Sequence, residues 1–260
     1  MPFQLTEQHI TDYYHHGYTV FQAILPPSLT TELRLAGEEV YGLSKAARSP
    51  VLSKLFPKLS GRSVQAFRDY GDLPPLVDAI HRVLTPGHSH CAFDQMSIFY
   101  TLEAPACGDW HRDIGENYKG VVREEFAQLK HDPTFFAQVN CALYTDTCLW
   151  YVPGSAGRAN TPGELAAAGP PYDGIEGRGK LIDFEGKSYV ERERMAIEYC
   201  RGMPGAVNLV LEAGDFALYR PIGWHNGNYA PHRKRMTLHH VVSTPKLLEW
   251  FANWAKRRAA

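Results

Sequence analysis

The sequence predicts a mainly β protein, a double-stranded β-helix or jelly roll with flanking N-terminal and C-terminal helices. Three observations carry this. Short β-branched and aromatic runs alternate with Gly and Pro turns, strands do not alternate with long helices, and no internal repeat is present. With 260 residues, 44% apolar and 12% aromatic, the chain can bury a substantial core. The expected organisation is one domain over 1–260. A helical flank covers 1–87, a β core covers 88–245 with an insertion at 156–204, and a C-terminal helix covers 246–260.

The elements follow in order. Thr6 caps a first helix that turns Ile10, Tyr13 and Tyr14 inward and stops at Gly17. Tyr18-Thr19-Val20-Phe21 is a strand, and Pro26-Pro27-Ser28 opens a second helix carrying Leu29, Leu33, Leu35 and Val40 inward. Residues 44–73 are mixed in character and are expected to form a loop near a site mouth. A third helix begins at Pro74-Pro75, runs through Leu76, Ile80 and Val83, and ends at Pro86-Gly87. Strands are then expected over 92–100, 135–144, 148–152, 206–211, 215–219 and 235–242, with a surface helix over 122–129 and Asp146 in a turn. The insertion holds one helical stretch, Tyr189 to Tyr199, and is expected to serve as a lid or substrate loop. Leu247 to Ala255 closes the chain as an amphipathic helix.

Charge and cysteines exclude several functions. Lysine plus arginine (27) nearly equals aspartate plus glutamate (28), leaving a net charge of −1 and no field favouring nucleic acid or anionic lipid. The five cysteines, Cys91, Cys107, Cys141, Cys148 and Cys200, show no Cys-x-x-Cys spacing, which argues against a disulfide framework or a thiolate zinc site. No stretch is apolar for the length of a membrane span, so a cytoplasmic protein without membrane partners is expected.

The chemistry centres on Gly108-Asp109-Trp110-His111-Arg112-Asp113. In extended chain, residues i and i+2 share a face, so His111 and Asp113 can grip one ion while Arg112 points away. His225, in Gly223-Trp224-His225-Asn226-Gly227, is the distant third ligand that strand ends in a jelly roll would bring in. His88 and His90 form a rival pair without a carboxylate. His-Arg-Asp also occurs in kinase catalytic loops, but the asparagine needed five residues on is Tyr118, and no Gly-rich phosphate loop is present.

The order of motifs carries a resemblance. His111-x-Asp113, the Val152-Pro153-Gly154-Ser155 turn, Gly214-Asp215 entering a strand, and His225 with Arg235 ten residues on together resemble the phytanoyl-CoA dioxygenase family. The opening Leu5-Thr6-Glu7 helix with Gly17-Tyr18-Thr19-Val20 is similar as well. Two departures are Ala156, where the family often has histidine, and the register of Arg235, one position early. The resemblance implies iron(II), 2-oxoglutarate as cosubstrate and O2 as oxidant, with His111, Asp113 and His225 as metal ligands and catalytic centre. Two imidazoles and one carboxylate suit an iron(II) that must bind exogenous ligands as well.

Arg235 is the expected partner of the cosubstrate's far carboxylate, with Arg233 and Lys234 as alternatives. Thr237 would add a hydroxyl, and Asn140 a further contact unless its amide serves only the backbone. Asp113 disfavours halogenation, since related halogenases have a small residue there. The implied reaction is hydroxylation of a small polar metabolite with release of succinate and carbon dioxide. A zinc-dependent hydrolase, or a jelly-roll protein that binds metal or ligand without turnover, are the other readings. Candidate substrate contacts are Arg112, Lys119, Tyr151, Arg158, Arg220 and Trp224.

Overall fold

The computed structural model describes residues 3–44, 50–89, 96–170, 182–229 and 233–259. In it the helical flank forms a layer against one face of a jelly roll. Helix α1 (Glu7–His16) ends at Gly17, whose φ of 82° is the left-handed conformation a C-terminal cap requires. Strand β1 (Tyr18–Phe21) leads into α2 (Pro27–Ser44). Tyr13, Leu29, Leu33 and Val40 turn inward as expected, but Tyr14 and Leu35 lie on the solvent side.

From residue 50 onward, where it is described, the segment expected to be a loop is instead structured. Short 3-10 turns at Leu52–Lys54 and Phe56–Lys58 lead to α3 (Gly61–Gly71), followed by α4 (Pro74–Val83). In α3 the buried residues Ser63, Ala66, Phe67 and Tyr70 fall at i, i+3, i+4 and i+7. Its start is held by Ser60, whose side chain accepts from Ser63 N, and by Glu39 of α2, which accepts from Ser60 N at 2.7 Å. The packing of α3 against α2 therefore secures a helix that small inward residues disguise.

The remaining elements are β2 (Ser97–Tyr100), β3 (Ala106–Cys107), α5 (Arg123–His131), β4 (Ala137–Ala142), β5 (Leu149–Tyr151), α6 (Pro162–Ala168), α7 (Tyr189–Arg201), β6 (Val207–Asn208), β7 (Phe216–Tyr219), β8 (His225–Tyr229), β9 (Met236–Val242) and α8 (Pro245–Ala259). They form two antiparallel sheets, β1-β7-β4-β9-β2 and β3-β8-β5-β6. The expected strand over 92–100 is described only from residue 96 onward.

Alternation along β4 divides its work. Val139 and Cys141 join Phe216, Leu218, Met236 and Leu238 in the main core, packed against Leu33, Phe67, Leu76 and Ile80 of the helical layer. The intervening Gln138 and Asn140 face the interior of the jelly roll. That core of 29 buried apolar side chains among the described residues makes the five-stranded sheet a rigid support for what its other face presents.

Described residues of the insertion pack against the smaller sheet and the loops beside it, where Ala168, Cys200 and Met203 meet Trp110, Trp150 and Trp224 in one buried cluster. Tyr199 reinforces this through its hydroxyl, which accepts from Trp110 N at 3.2 Å. Residues 171–181 lie outside the described part. Among the described residues no helix is long and apolar enough to cross a membrane.

Candidate metal centre

His111 and His225 are tied together by their backbones. His111 N donates to His225 O at 3.1 Å and His225 N donates to His111 O at 3.0 Å, a hydrogen-bonded antiparallel pair that sets the two rings side by side with centroids 4.3 Å apart. Asp113 N donates to Pro221 O at 2.9 Å, extending the same pairing. The i, i+2 relation then puts Asp113 beside His111, with Oδ1 3.4 Å from Nε2 of each histidine. All three ligand atoms lie within 4.8 Å of one another.

The protonation state suits this cluster to a cation. His111 Nδ1 lies 2.7 Å from Asp109 O, and His225 Nδ1 lies 3.0 Å from Gly223 O. Each carbonyl can only accept, so each Nδ1 carries the proton and each Nε2 presents a lone pair. Two lone pairs and a carboxylate oxygen converge, and a positive charge among them relieves their repulsion. Burial, then the neighbouring His225, lowers the His111 pKa and favours this neutral form. Burial alone would raise Asp113, but its interactions with His111 and His225 hold it well below the usual carboxylate range.

The neighbours alternate outward. Trp110 and Trp224 point into the cluster beneath the insertion. The Arg112 guanidinium lies over the Trp224 ring at 4.9 Å and donates to Ser155 O, Ile222 O and Asn160 Oδ1. Arg112 is therefore a buried brace. Of the other candidate substrate contacts, the Tyr151 hydroxyl donates to Arg220 O, Arg158 pairs with Glu164, Arg220 donates to Lys130 O, and Lys119 is exposed. None of the six lines the cavity at the histidines.

That cavity, about 190 Å³, runs from His111, Asp113 and His225 to Arg235, walled by Phe99, Leu149 and Tyr229. Arg235 is buried between the Phe99 and Tyr229 rings, 5.3 and 5.0 Å from their centroids. Its Nε donates to Asp146 Oδ2 at 3.0 Å, while Nη1 is buried without a partner among the described residues. Asn140 Oδ1, on the same cavity, is likewise unpartnered. Two residues that line one cavity and each carry a buried polar atom without a partner among the described residues suit it to a polar ligand.

Thr237 donates to Asp146 Oδ2 at 2.7 Å, so its proton is directed behind Arg235 and not into the cavity. Arg233 is exposed, and Lys234 pairs with Glu38 at 2.8 Å; neither lines the cavity. His88 has both ring nitrogens engaged, Nδ1 with Thr85 Oγ1 and Nε2 with Thr134 O, so it offers no ligand atom; His90 lies outside the described residues.

Four residues went unassigned to this site in the sequence: Asp146, Gln138, Tyr219 and His239. Gln138 and Asn140 alternate on the interior face of β4, a signal the sequence carries once β4 is known to be central. Asp146 has no such signal, because only the fold brings it beneath Arg235.

No family model matches the chain, and no curated relative matches it by sequence. Solved structures do. The chain is similar to the non-heme alpha ketoglutarate dependent carbocyclase SnoK from nogalamycin biosynthesis, with 16% identity, a TM-score of 0.55, and 92% of this chain and 84% of that one covered. It is similar to the epimerase SnoN in complex with Fe3+, alpha ketoglutarate and nogalamycin RO, with 13% identity, a TM-score of 0.56, and 92% and 83% covered. It is also similar to HygX from Streptomyces hygroscopicus with nickel and 2-oxoglutarate bound, with 14% identity, a TM-score of 0.56, and 93% and 88% covered. At such identities these likenesses establish the fold.

Proposed function

We propose that this protein is an iron(II)- and 2-oxoglutarate-dependent oxygenase that hydroxylates a small polar metabolite, a single domain of the phytanoyl-CoA dioxygenase type. One observation carries the reading: the His111–Asp113–His225 cluster and Arg235, whose Nη1 is buried without a partner among the described residues, line one cavity. The donor set suits iron(II), and the buried guanidinium suits a dicarboxylate that must reach the metal with one end. The structural neighbours whose names include iron, nickel and 2-oxoglutarate support it.

When bound, iron(II), 2-oxoglutarate and dioxygen supply the oxidising chemistry, releasing succinate and carbon dioxide as the substrate is hydroxylated. The chain's own residues prepare that chemistry. His111 and His225 offer Nε2, held in tautomer by Asp109 O and Gly223 O, and Asp113 offers Oδ1. Arg235 binds the far carboxylate through Nη1, and Asn140 adds its amide from β4. Thr237 acts through Asp146 by holding the acid that orients Arg235. Phe99, Leu149 and Tyr229 exclude water from the cosubstrate's chain.

The polar lining of Gln138, Asn140, Asn226 and His239 favours a polar substrate. Near-neutral net charge and Cys107, Cys141, Cys148 and Cys200 present as thiols fit a cytoplasmic enzyme without nucleic-acid or membrane partners. The test is an anaerobic titration of metal-free protein with iron(II) and 2-oxoglutarate. A visible charge-transfer band that is lost in His225→Ala and needs more 2-oxoglutarate in Arg235→Ala is expected. No band at saturating ligand, with zinc held tightly instead, overturns the reading.

A further inference from the structure

Asp113 divides its two oxygens. Oδ1 faces both histidines at 3.4 Å, while Oδ2 is turned away and accepts from Gln138 Nε2 at 2.5 Å. The Gln138 amide is in turn held by Tyr219, whose hydroxyl donates to Oε1 at 2.8 Å. Tyr219 Oη also lies 3.2 Å from His239 Nε2.

Strand register builds this chain. Gln138 of β4 stands opposite Tyr219 of β7, and Asn140, two residues along β4, stands opposite His239 of β9. Opposed residues in an antiparallel pair share a face, so three adjacent strands deliver the three side chains to one wall of the site. The carboxylate end sets the direction of every bond. Ionised Asp113 only accepts, so Gln138 must turn its NH2 toward it and its carbonyl toward Tyr219. Tyr219 has one proton and gives it to that carbonyl, so His239 donates Nε2–H to the tyrosine oxygen. No member has a second arrangement that keeps every bond.

We infer that Gln138 and Tyr219 are positioning residues that keep Asp113 a one-oxygen ligand, by occupying Oδ2 through a directed hydrogen-bond chain anchored at His239. The inference rests on the proposed metal site and adds to it. A carboxylate free to swing would present both oxygens to a cation and take a position the cosubstrate or dioxygen requires. A chain rooted in the five-stranded sheet prevents this, because β4, β7 and β9 carry it on one face while Val139, Cys141, Phe216, Leu218 and Leu238 of the same strands pack in the main core on the other.

Cobalt(II) titration of the metal-free protein, read by its visible d–d absorption, tests the inference without 2-oxoglutarate or turnover. Gln138→Leu and Tyr219→Phe are each expected to weaken cobalt binding about 10- to 100-fold and to change the band intensities as the carboxylate rotates. The double variant should bind no more weakly than Gln138→Leu, since both changes break one chain. Tyr13→Phe, which removes a comparable buried hydroxyl bonded to Pro133 O at 3.1 Å, should leave the spectrum unchanged. If Gln138→Leu does not fold, Gln138→Met, closer in shape, takes its place.

Wild-type affinity and spectrum in both single variants would overturn the inference. Additive losses in the double variant would overturn the linked chain. Wild-type protein that takes up no cobalt would overturn the metal-site reading itself.

Discussion

Arg235 and Asp146 form a buried ion pair in which Nε donates to Oδ2 at 3.0 Å and leaves Nη1 without a partner among the described residues. Asp146 is fully engaged, accepting from Thr237 Oγ1 on Oδ2 and from Cys148 N on Oδ1 at 2.8 Å. Burial would lower the Arg235 pKa, but Asp146 outweighs it and the guanidinium stays charged. Removing one partner leaves the other charged and uncompensated, so Asp146→Ala should cost roughly 3–5 kcal/mol in denaturant unfolding. Asp146→Asn keeps an acceptor and should cost less. In both, the 2-oxoglutarate needed to half-saturate the charge-transfer band should rise about tenfold or more, because the guanidinium is no longer aimed. Unchanged 2-oxoglutarate affinity in Asp146→Asn would show that Arg235 needs no such support.

Metal should act as a folding ligand. An ion that binds the native cluster alone stabilises it by about 2.7 kcal/mol at a free concentration a hundred times its Kd. Thermal unfolding with and without iron(II) or nickel should therefore show a clear rise in Tm, absent in Asp113→Ala. A metal-independent Tm in wild type would count against the site.

Gly223 occupies a position where any side chain collides. A Cβ there would strike the Tyr151 hydroxyl and ring, with Ser155 Oγ at 3.1 Å. Its carbonyl also receives the Nδ1 proton of His225. Gly223→Ala should thus cost about 1–3 kcal/mol in overpacking and also weaken metal binding, since the carbonyl that holds the tautomer must move. Calorimetry and a metal titration on the same sample separate the two effects. Lost stability with unchanged metal affinity would limit the role of Gly223 to packing.

The gathering of His111, Asp113 and His225 was legible in the sequence because its parts are local or ordered. His111 and Asp113 follow strand spacing, and His225 follows a recognisable run. Arg235 was legible in number but not in its support, since Asp146 lies 89 residues away and meets it only through β9 pairing with β4. Strand β8 was missed for a different reason. His225-Asn226-Gly227-Asn228-Tyr229 has turn composition, yet pairing with β3 on one side and β5 on the other holds it extended. Where the insertion packs was not legible from its length and polarity, because that depends on Ala168, Cys200 and Met203 meeting Trp110, Trp150 and Trp224 from distant parts of the chain.

His239 gives the metal-free protein a defined acid response. Burial is the main cause that lowers its pKa to about 4, from an ordinary 6.5; the nearby Asp113 opposes this, and Arg235 and His225 add to it. The native ring therefore stays neutral where the ring of the unfolded chain is already protonated. Between about pH 6.5 and 4 the unfolded state binds more protons, so stability falls as pH drops through that window and the loss levels off below it. His111, also lowered by burial, contributes in the same direction. Asp113 has the opposite dependence: its stabilisation holds above the unfolded carboxylate range and is lost as pH falls toward its depressed native value, below this window. Allowing for the partial exposure of His239 to the cavity, its share is on the order of 2 kcal/mol. His239→Gln should flatten the dependence of denaturant midpoint on pH between 6.5 and 4 by that amount, with His111 accounting for what remains. An identical slope in the variant would mean that the native ring takes up its proton as readily as the unfolded one.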